Sequence, residues 1–352
     1  MKILIAGNWS WYIYEKSFAE ALSILGNEVV PFSFREFLKG KLGNYQSALP
    51  IPAPALWKLN RALVKMVRDS YPDVVLVWRG THILPRTLRL IKALGALTVS
   101  YNNDDPFGPH VHGNTPWHHR FLWMWYLRCL KDFDLNFMYR LVNVQEAISF
   151  GARNGHVLMP YFIPEQHHPV VLSALDKKRF ACDVVYVGHY EPDGREEYLG
   201  SLVRAGLHVR LFGGKYWTKE VLGDLSPYFG DVFPVIGEDY TKALCGAKMC
   251  LAFLSKMNRD TYTRRCFEIP ACGGLLLCER TDDLKEMFIE GEEAVFFSSK
   301  EELVEKALWL THHPDEIERI AEAGRKRVWA DGHDVVNRAK QFVTLISEFS
   351  PV

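Results

Sequence analysis

The sequence predicts an α/β protein with two Rossmann-like halves, each a parallel sheet between layers of helices. Three observations carry that expectation. Strand-like and helix-like segments alternate through the first half, which is the signature of a parallel sheet. The alternation restarts near Asp183, after the proline-punctuated stretch from Pro160 to Pro169. At 352 residues the chain also exceeds the length at which one hydrophobic core keeps growing, so two domains of about 150 residues each are expected.

Element by element, Lys2 to Ala6 reads as a first strand, followed by a helix from Tyr14 to Leu25 and a strand from Glu28 to Phe32. A helix over Leu56 to Asp69 precedes Asp73 to Trp78, whose continuous apolar run suits a central strand covered on both faces. Leu84 to Leu94 is the next helix, and Ala96 to Tyr101 the strand that delivers Asn102-Asn103-Asp104-Asp105-Pro106 to the ligand-collecting edge. Asp134 to Tyr139, a helix from Gln145 to Gly151 and a short strand from His156 to Met159 complete the half. The second half offers strands at Asp183 to Val187 and His208 to Phe212 around a helix from Glu196 to Ala205. Then come a helix from Asp239 to Ala247, strands at Met249 to Leu254, Leu275 to Cys278 and Ala294 to Phe297, and helices filling Glu301 to Phe349.

Bulk properties narrow the function classes. The 42 basic and 42 acidic side chains cancel, so no overall charge favours a nucleic-acid partner. The run Met1-Lys2-Ile3-Leu4-Ile5-Ala6-Gly7 lacks a signal peptide's long apolar segment, and no stretch approaches the roughly 18 apolar residues of a membrane span. A cytoplasmic protein, at most peripheral at the inner face of the membrane, is expected. The aromatic and basic segment from Pro116 to Arg128 reads as a buried helix rather than a membrane-touching one. Seven cysteines without a CxxC pair read as reduced structural thiols. The histidine pairs His110 and His112, His118 and His119, His167 and His168, and His312 and His313 lack suitably spaced carboxylate or thiolate companions, so no metal is expected.

The stretch from Arg264 to Cys278 packs cation, carboxylate and paired glycines into one helix-to-strand transition. A helix starting near Thr263 presents Arg265 and Glu268 on one face, and Gly273-Gly274 ends it. That combination suits a phosphorylated sugar donor, with the Thr263 hydroxyl capping the helix or touching phosphate. Gly188, Gly213 and Gly214, which follow two strands, are expected to let a donor come close to the backbone. Neither half carries GxGxxG after its first strand, which disfavours a nicotinamide or flavin enzyme. Asn8, Trp9, Arg79 and His82, on loops of the first half's ligand edge, are acceptor-binding candidates.

From Asp239 through Phe342 the chain resembles the C-terminal domain of CgeB-like glycosyltransferases, the spore maturation type, within the GT-B superfamily. The matching residues are Asp239-Tyr240, the run from Arg265 to Gly274, the turn Glu290 to Phe297, Glu301-Glu302-Leu303 and Ala323-Gly324-x-x-Arg327. Asp104-Asp105-Pro106-Phe107 and Gly151-Ala152-Arg153-Asn154 extend the likeness more weakly into the first half. The resemblance implies GT-B architecture: an acceptor-binding domain over 1–165, a nucleotide-sugar-binding domain over 166–332, the two facing across a cleft, and a C-terminal helix over 333–352 packing back on the first domain. It implies transfer of a sugar from a UDP-, GDP- or TDP-linked donor to a saccharide, lipid-linked or protein acceptor, in polysaccharide or glycoconjugate biosynthesis, with no metal and no further cofactor.

Residue roles follow the same resemblance. Glu268 matches the carboxylate that holds the ribose hydroxyls, Arg265, with Arg264 beside it, the diphosphate clamp, and Arg195 the phosphate-contacting cation at a helix start. Val235 and Ile236, before the Tyr240 helix, lie where the base is read by backbone groups. Asp260 occupies the position of an earlier Glu that faces the sugar, and is one methylene shorter. Asp104 and Asp105 match acceptor-facing polar residues, and an Asp there would take the acceptor's proton. The competing readings are an epimerase or hydrolase of nucleotide sugars on the same fold, and a non-catalytic glycan- or nucleotide-binding protein. Retention or inversion at the anomeric carbon stays open.

Overall fold

The computed structural model describes residues 1–108 and 117–349, so His110, His112 and Pro116 lie outside the described residues. The chain divides into two compact units: residues 1–160 with the segment from Val335, and Tyr161–Asp334. In the first, β1 (Lys2–Gly7) runs through a π-type turn at Tyr12–Lys16 into α1 (Ser17–Ile24), then β2 (Glu28–Ser33), α2 (Gly40–Ala48) and α3 (Pro54–Ser70). There follow β3 (Val74–Trp78), α4 (Pro85–Ala93), β4 (Leu97–Asn102), α5 (Trp117–Cys129), β5 (Leu135–Met138), α6 (Leu141–Ser149) and β6 (His156–Val157). The sheet is parallel with order β2-β1-β3-β4-β5-β6.

Sequence explains these elements directly. All residues of β3 are buried, as a strand between two helical layers requires. Pro54 opens α3 at a position where its missing N–H costs nothing, and Leu56, Leu59, Leu63 and Val67 bury one helical stripe. Tyr71, with φ 48°, turns the chain out of that helix. The aromatic helix α5 lies on this core: Trp123, Tyr126 and Cys129 are buried, and the Trp125 indole donates to the Pro50 carbonyl at 2.7 Å.

In the second unit α7 (Ala174–Phe180) leads to β7 (Cys182–Val187), α8 (Arg195–Arg204), β8 (Val209–Phe212), α9 (Lys219–Leu222), α10 (Ser226–Phe229), α11 (Glu238–Gly246) and β9 (Ala247–Ala252). Next come α12 (Arg265–Ala271), β10 (Leu276–Glu279), α13 (Asp282–Met287), β11 (Val295–Phe297), α14 (Lys300–Thr311) and α15 (Pro314–Ala330). This sheet is also parallel, with order β11-β10-β9-β7-β8. The last helix, α16 (Val335–Phe349), belongs to the first unit, where Phe342 packs on Phe18 and Phe137 at ring distances of 5.6 and 5.2 Å.

Several expectations needed correcting. The helix of the Arg265 motif begins at Arg265 rather than near Thr263, with no side-chain cap, so the Thr263 hydroxyl does not cap it. The helix expected from Gln145 starts earlier, at Leu141. Helices α2, α7, α9 and α10 were not anticipated, being short or weakly amphipathic. All seven cysteines are free thiols, and burial raises the Cys182 thiol to about 12. Among the described residues no helix is long and apolar enough to cross a membrane.

Candidate functional site

Each unit gathers polar groups at the carboxyl edge of its own sheet. In the second, β7 ends in Tyr186-Val187, and the loop that follows, from Gly188, carries Asp193 before α8 starts at Arg195. Arg195 is 2% exposed and its guanidinium is spent on the chain itself. Its Nε and Nη2 donate to the Asp193 carboxylate at 2.8 and 2.6 Å, and Nη1 donates to the Tyr186 hydroxyl at 2.9 Å and the His189 carbonyl at 2.8 Å. Glu191 Oε2 stands 3.5 Å from Nη2. The cation expected on phosphate is therefore a loop organiser. Its partner is Asp193, not the neighbouring Glu196 and Glu197.

Arg265, at the first position of α12, is the opposite case. Its Nε is buried without a hydrogen-bond partner, and among the described residues no carboxylate pairs with it. The guanidinium lies 6.0 Å from the centre of the Tyr186 ring. Arg265 is half-buried, with its Nε enclosed and unsatisfied, while the nearby Tyr186, Tyr240 and Glu268 favour its charge.

One turn further along α12, Glu268 is 5% exposed. Its Oε2 accepts from the Tyr240 hydroxyl at 2.7 Å, while His167 Nε2 and Arg264 Nε stand 3.7 and 3.8 Å from Oε1. Those last separations exceed hydrogen-bond length and leave Oε1 with capacity to accept. Burial, and then the Glu268 charge, raise the Tyr240 phenol, which stays a proton donor. His167 was not anticipated. Its Nδ1 accepts the Ile163 N–H at 2.9 Å, which leaves the neutral ring's proton on Nε2, facing Glu268. Burial lowers its affinity for a second proton. Arg264 also donates to the Tyr161 carbonyl at 3.3 Å, with its guanidinium over the Tyr161 ring, so it ties a strap to the site.

The expected glycine roles divide. Gly273, with φ +77°, closes α12 in a Schellman arrangement: its N–H donates to Pro270 O at 2.8 Å, and the Gly274 N–H to Ile269 O at 3.0 Å. A Cβ on Gly274 would meet Cys250 Sγ at 2.9 Å, and one on Gly188 would overlap the Tyr186 phenol. Gly188, Gly273 and Gly274 thus have packing and helix-termination roles of their own. Gly214 faces open space. Asp260 accepts the Ser255 N–H at 3.4 Å within its own loop. Val235 is buried and Ile236 is 70% exposed, just before Gly237 caps α11.

In the first unit, β1 and β3 are adjacent and parallel, the chain passes from β1 to β2 on one side and from β3 to β4 on the other, and residues after their carboxyl ends line a cavity of about 280 Å³. Asn8, Trp11, Glu15, Arg79, His82 and Asp104 are among its lining residues. Trp9 is not; its indole donates back to the Ile5 carbonyl at 3.1 Å, and exposed Trp11 takes the place expected for it. Arg79 Nε pairs with Asp104 Oδ2 at 2.6 Å. Asp105 is 4% exposed, and its Oδ1 accepts from the backbone N–H of Phe107 and Gly108 and from Asn143 Nδ2, each at 3.0 Å. Those donors make Asp105 a turn-forming residue, not a base. Glu15, absent from the sequence expectations, is 3% exposed.

His82 is pinned through Nδ1 to the Thr81 hydroxyl at 2.9 Å and through Nε2 to the Gln46 carbonyl at 3.1 Å. Burial lowers its pKa to about 4. The unfolded chain binds this proton more tightly, so stability should fall as pH drops from about 6.5 toward 4. Urea midpoints measured across that range should decline less steeply for His82→Gln than for the unsubstituted chain; equal slopes would contradict the assignment.

Residues 195–344 match a family model described as glycosyl transferase-like. That span is less than half of the chain. A search of curated proteins returns no match. Among solved structures, a sucrose-phosphate synthase from Thermosynechococcus elongatus is similar with a TM-score of 0.68 at 13% identity, covering 99% of both chains. Anabaena Alr3699/HepE, solved in complex with UDP and glucose, has a TM-score of 0.66 at 13% identity, over 99% of this chain and 100% of its own. The fold is GT-B. The C-terminal glycosyl transferase-like region contains Arg195, Tyr240, Asp260, Arg265 and Glu268.

Proposed function

We propose that the protein is a metal-independent glycosyltransferase of the CgeB-like type, moving a sugar from a nucleoside diphosphate to an acceptor hydroxyl on a saccharide, lipid-linked or protein acceptor. The observation that carries this reading is the enclosed, unsatisfied Nε of Arg265 one helical turn from Glu268, whose Oε1 has its neighbouring His167 and Arg264 nitrogens beyond hydrogen-bond length. A guanidinium matches diphosphate in charge and geometry, and a carboxylate oxygen accepts hydroxyl protons from a ribose. As the sugar leaves, charge grows on the diphosphate, and Arg265 stabilises it. Arg195 acts at one remove by holding the loop and the Tyr186 phenol. Backbone groups at Val235 and Ile236 read the base, Asp260 faces the sugar, and the cavity at Asn8, Arg79 and Asp104 receives the acceptor. The setting is the cytoplasm or the inner membrane face, in polysaccharide or glycoconjugate synthesis.

Calorimetry with UDP, GDP and TDP tests the reading. UDP is the first choice because Anabaena HepE is solved with it. One nucleotide should bind equally well with and without EDTA, and Glu268→Ala should weaken it about 10- to 100-fold through loss of charge-assisted hydrogen bonds. If no nucleotide binds, the reading fails. Comparing release of UDP from a donor with and without acceptor separates transfer from an epimerase or hydrolase.

A further inference from the structure

We infer that the outer face of α3 and α4 docks the protein on an anionic phospholipid surface. The two helices border a groove of about 810 Å³, lined by Trp57, Arg61, Lys65 and Arg68 from α3 and by Arg86 and Leu90 from α4. On α3, Trp57, Arg61, Val64 and Arg68 recur at spacings of four, three and four residues, which sets them in one row along the helix. The buried stripe of the same helix is Leu56, Leu59, Leu63 and Val67, so the row with Trp57 faces outward.

Charge on this face is segregated. The chain as a whole balances its basic and acidic residues, yet α3 and α4 together carry seven basic side chains and one acidic one, Asp69. Asp69 pairs with Lys65, while Asp132 and Asp134, from outside the two helices, take Arg89 and Lys92. Lys58, Arg61, Arg68 and Arg86 have no carboxylate partner among the described residues. Lys58, Arg61, Lys65 and Arg68 also follow one another at three- and four-residue spacing, and like charges so placed destabilise a helix. The buried apolar stripe holds α3 in place against that repulsion, and a layer of negative charge outside the protein relieves it.

The apolar groups among the cations decide which anion fits. Trp57 and Leu90 are 51% and 44% exposed on the same groove. A nucleic-acid backbone or an acidic polysaccharide answers the cations but gains nothing from Leu90. The interfacial zone of a bilayer takes both: tryptophan and leucine settle at the acyl-chain boundary, and Arg and Lys heads reach the anionic headgroups over their apolar stems. The aromatic helix α5, whose composition also suggests membrane contact, spends Trp123 and Tyr126 on the core instead. The inference stands apart from the glycosyltransferase reading, because vesicle binding requires neither nucleotide nor acceptor.

Co-sedimentation of the full chain with vesicles tests it. The protein should bind phosphatidylcholine vesicles containing about one-third phosphatidylglycerol, should not bind phosphatidylcholine alone, and should be released by high salt. Arg61→Gln combined with Arg68→Gln should weaken binding about 25-fold, at about fivefold per cation. Arg325→Gln combined with Lys326→Gln, an equal charge change at exposed positions of α15, should leave it unchanged. Trp57→Phe should lose the part of the fluorescence that brominated phosphatidylcholine in the vesicles quenches. All these side chains are exposed, so melting temperatures should stay level and a loss of binding cannot be put down to unfolding. Failure to sediment with anionic vesicles, undiminished binding by the Arg61 and Arg68 double variant, or equal loss in the α15 double variant would overturn the surface. Retention on heparin resin without vesicle binding would overturn it too, assigning the face to a soluble polyanion.

Discussion

Arg265→Met is expected to reduce turnover about 10³-fold and to weaken UDP binding, while the melting temperature changes little. The kinetic part follows from charge development. A cation aimed at a leaving diphosphate acts most strongly in the transition state, where the donor's phosphate carries more charge than in the ground state. The stability part follows from two opposed effects: the Arg265 Nε is enclosed with no acceptor, while the nearby Tyr186, Tyr240 and Glu268 favour the guanidinium's charge. Methionine keeps much of the apolar stem without that charge. Arg195→Met should behave differently, because it leaves the Asp193 carboxylate, the Tyr186 phenol and the His189 carbonyl without their donor. Losing stability as well as activity is its expected signature. Thermal melts and steady-state rates on both variants separate the two arginines; an Arg265→Met enzyme within tenfold of full activity would dismiss the clamp.

The contrast between those arginines also explains what could be read from the sequence. Arg265, Glu268 and the glycine pair share one short helix and its end, so their relation is local and a residue spacing reveals it. Arg195 was placed correctly at a helix start, but its neutralisation depends on Asp193 folding back across Gly194, which spacing alone does not distinguish from a solvated surface. His167 lies in a proline-rich segment and meets Glu268, about a hundred positions away, only through the fold. Glu15 was hidden for a similar reason: it looks like an ordinary helical carboxylate until the π-type turn and the bare Cα of Gly7 draw it inward. Central strands such as β3 were legible because burial on both faces demands an unbroken apolar run. Helices such as α2 had no comparable signal, since Gly40–Ala48 lacks an apolar stripe of helical period.

The Gly324-x-x-Arg327 motif gives the second large effect, on stability. Gly324 is buried in α15, where a Cβ would overlap the Glu293 carbonyl oxygen and sit 3.4 Å from its carbon. On the same helix Arg327 Nε donates to Met287 O at 2.9 Å, and Arg319 Nη2 to Gly291 O at 2.8 Å, so α15 grips the segment from Met287 to Glu293 through its backbone. Two effects oppose each other in Gly324→Ala. Helix propensity favours alanine by about 1 kcal/mol, whereas forcing a methyl group into a packed backbone contact costs about 1–3 kcal/mol. The overlap here is with a main-chain carbonyl held between two hydrogen-bonded neighbours, which cannot swing away as a side-chain tip would, so the steric cost should prevail. A fall in melting temperature of about 2–5 °C is expected. Ala323→Gly supplies the comparison, because that neighbouring position should register propensity alone, at about 1 kcal/mol. The consequence extends to the proposed donor site, because α15 packs directly against α12, and the Pro270 Cβ lies 3.8 Å from the position the new methyl would take. Gly324→Ala should therefore weaken UDP binding as it destabilises, whereas Ala323→Gly should change stability alone; a Gly324→Ala protein more stable than the unsubstituted chain would show that the Glu293 carbonyl yields.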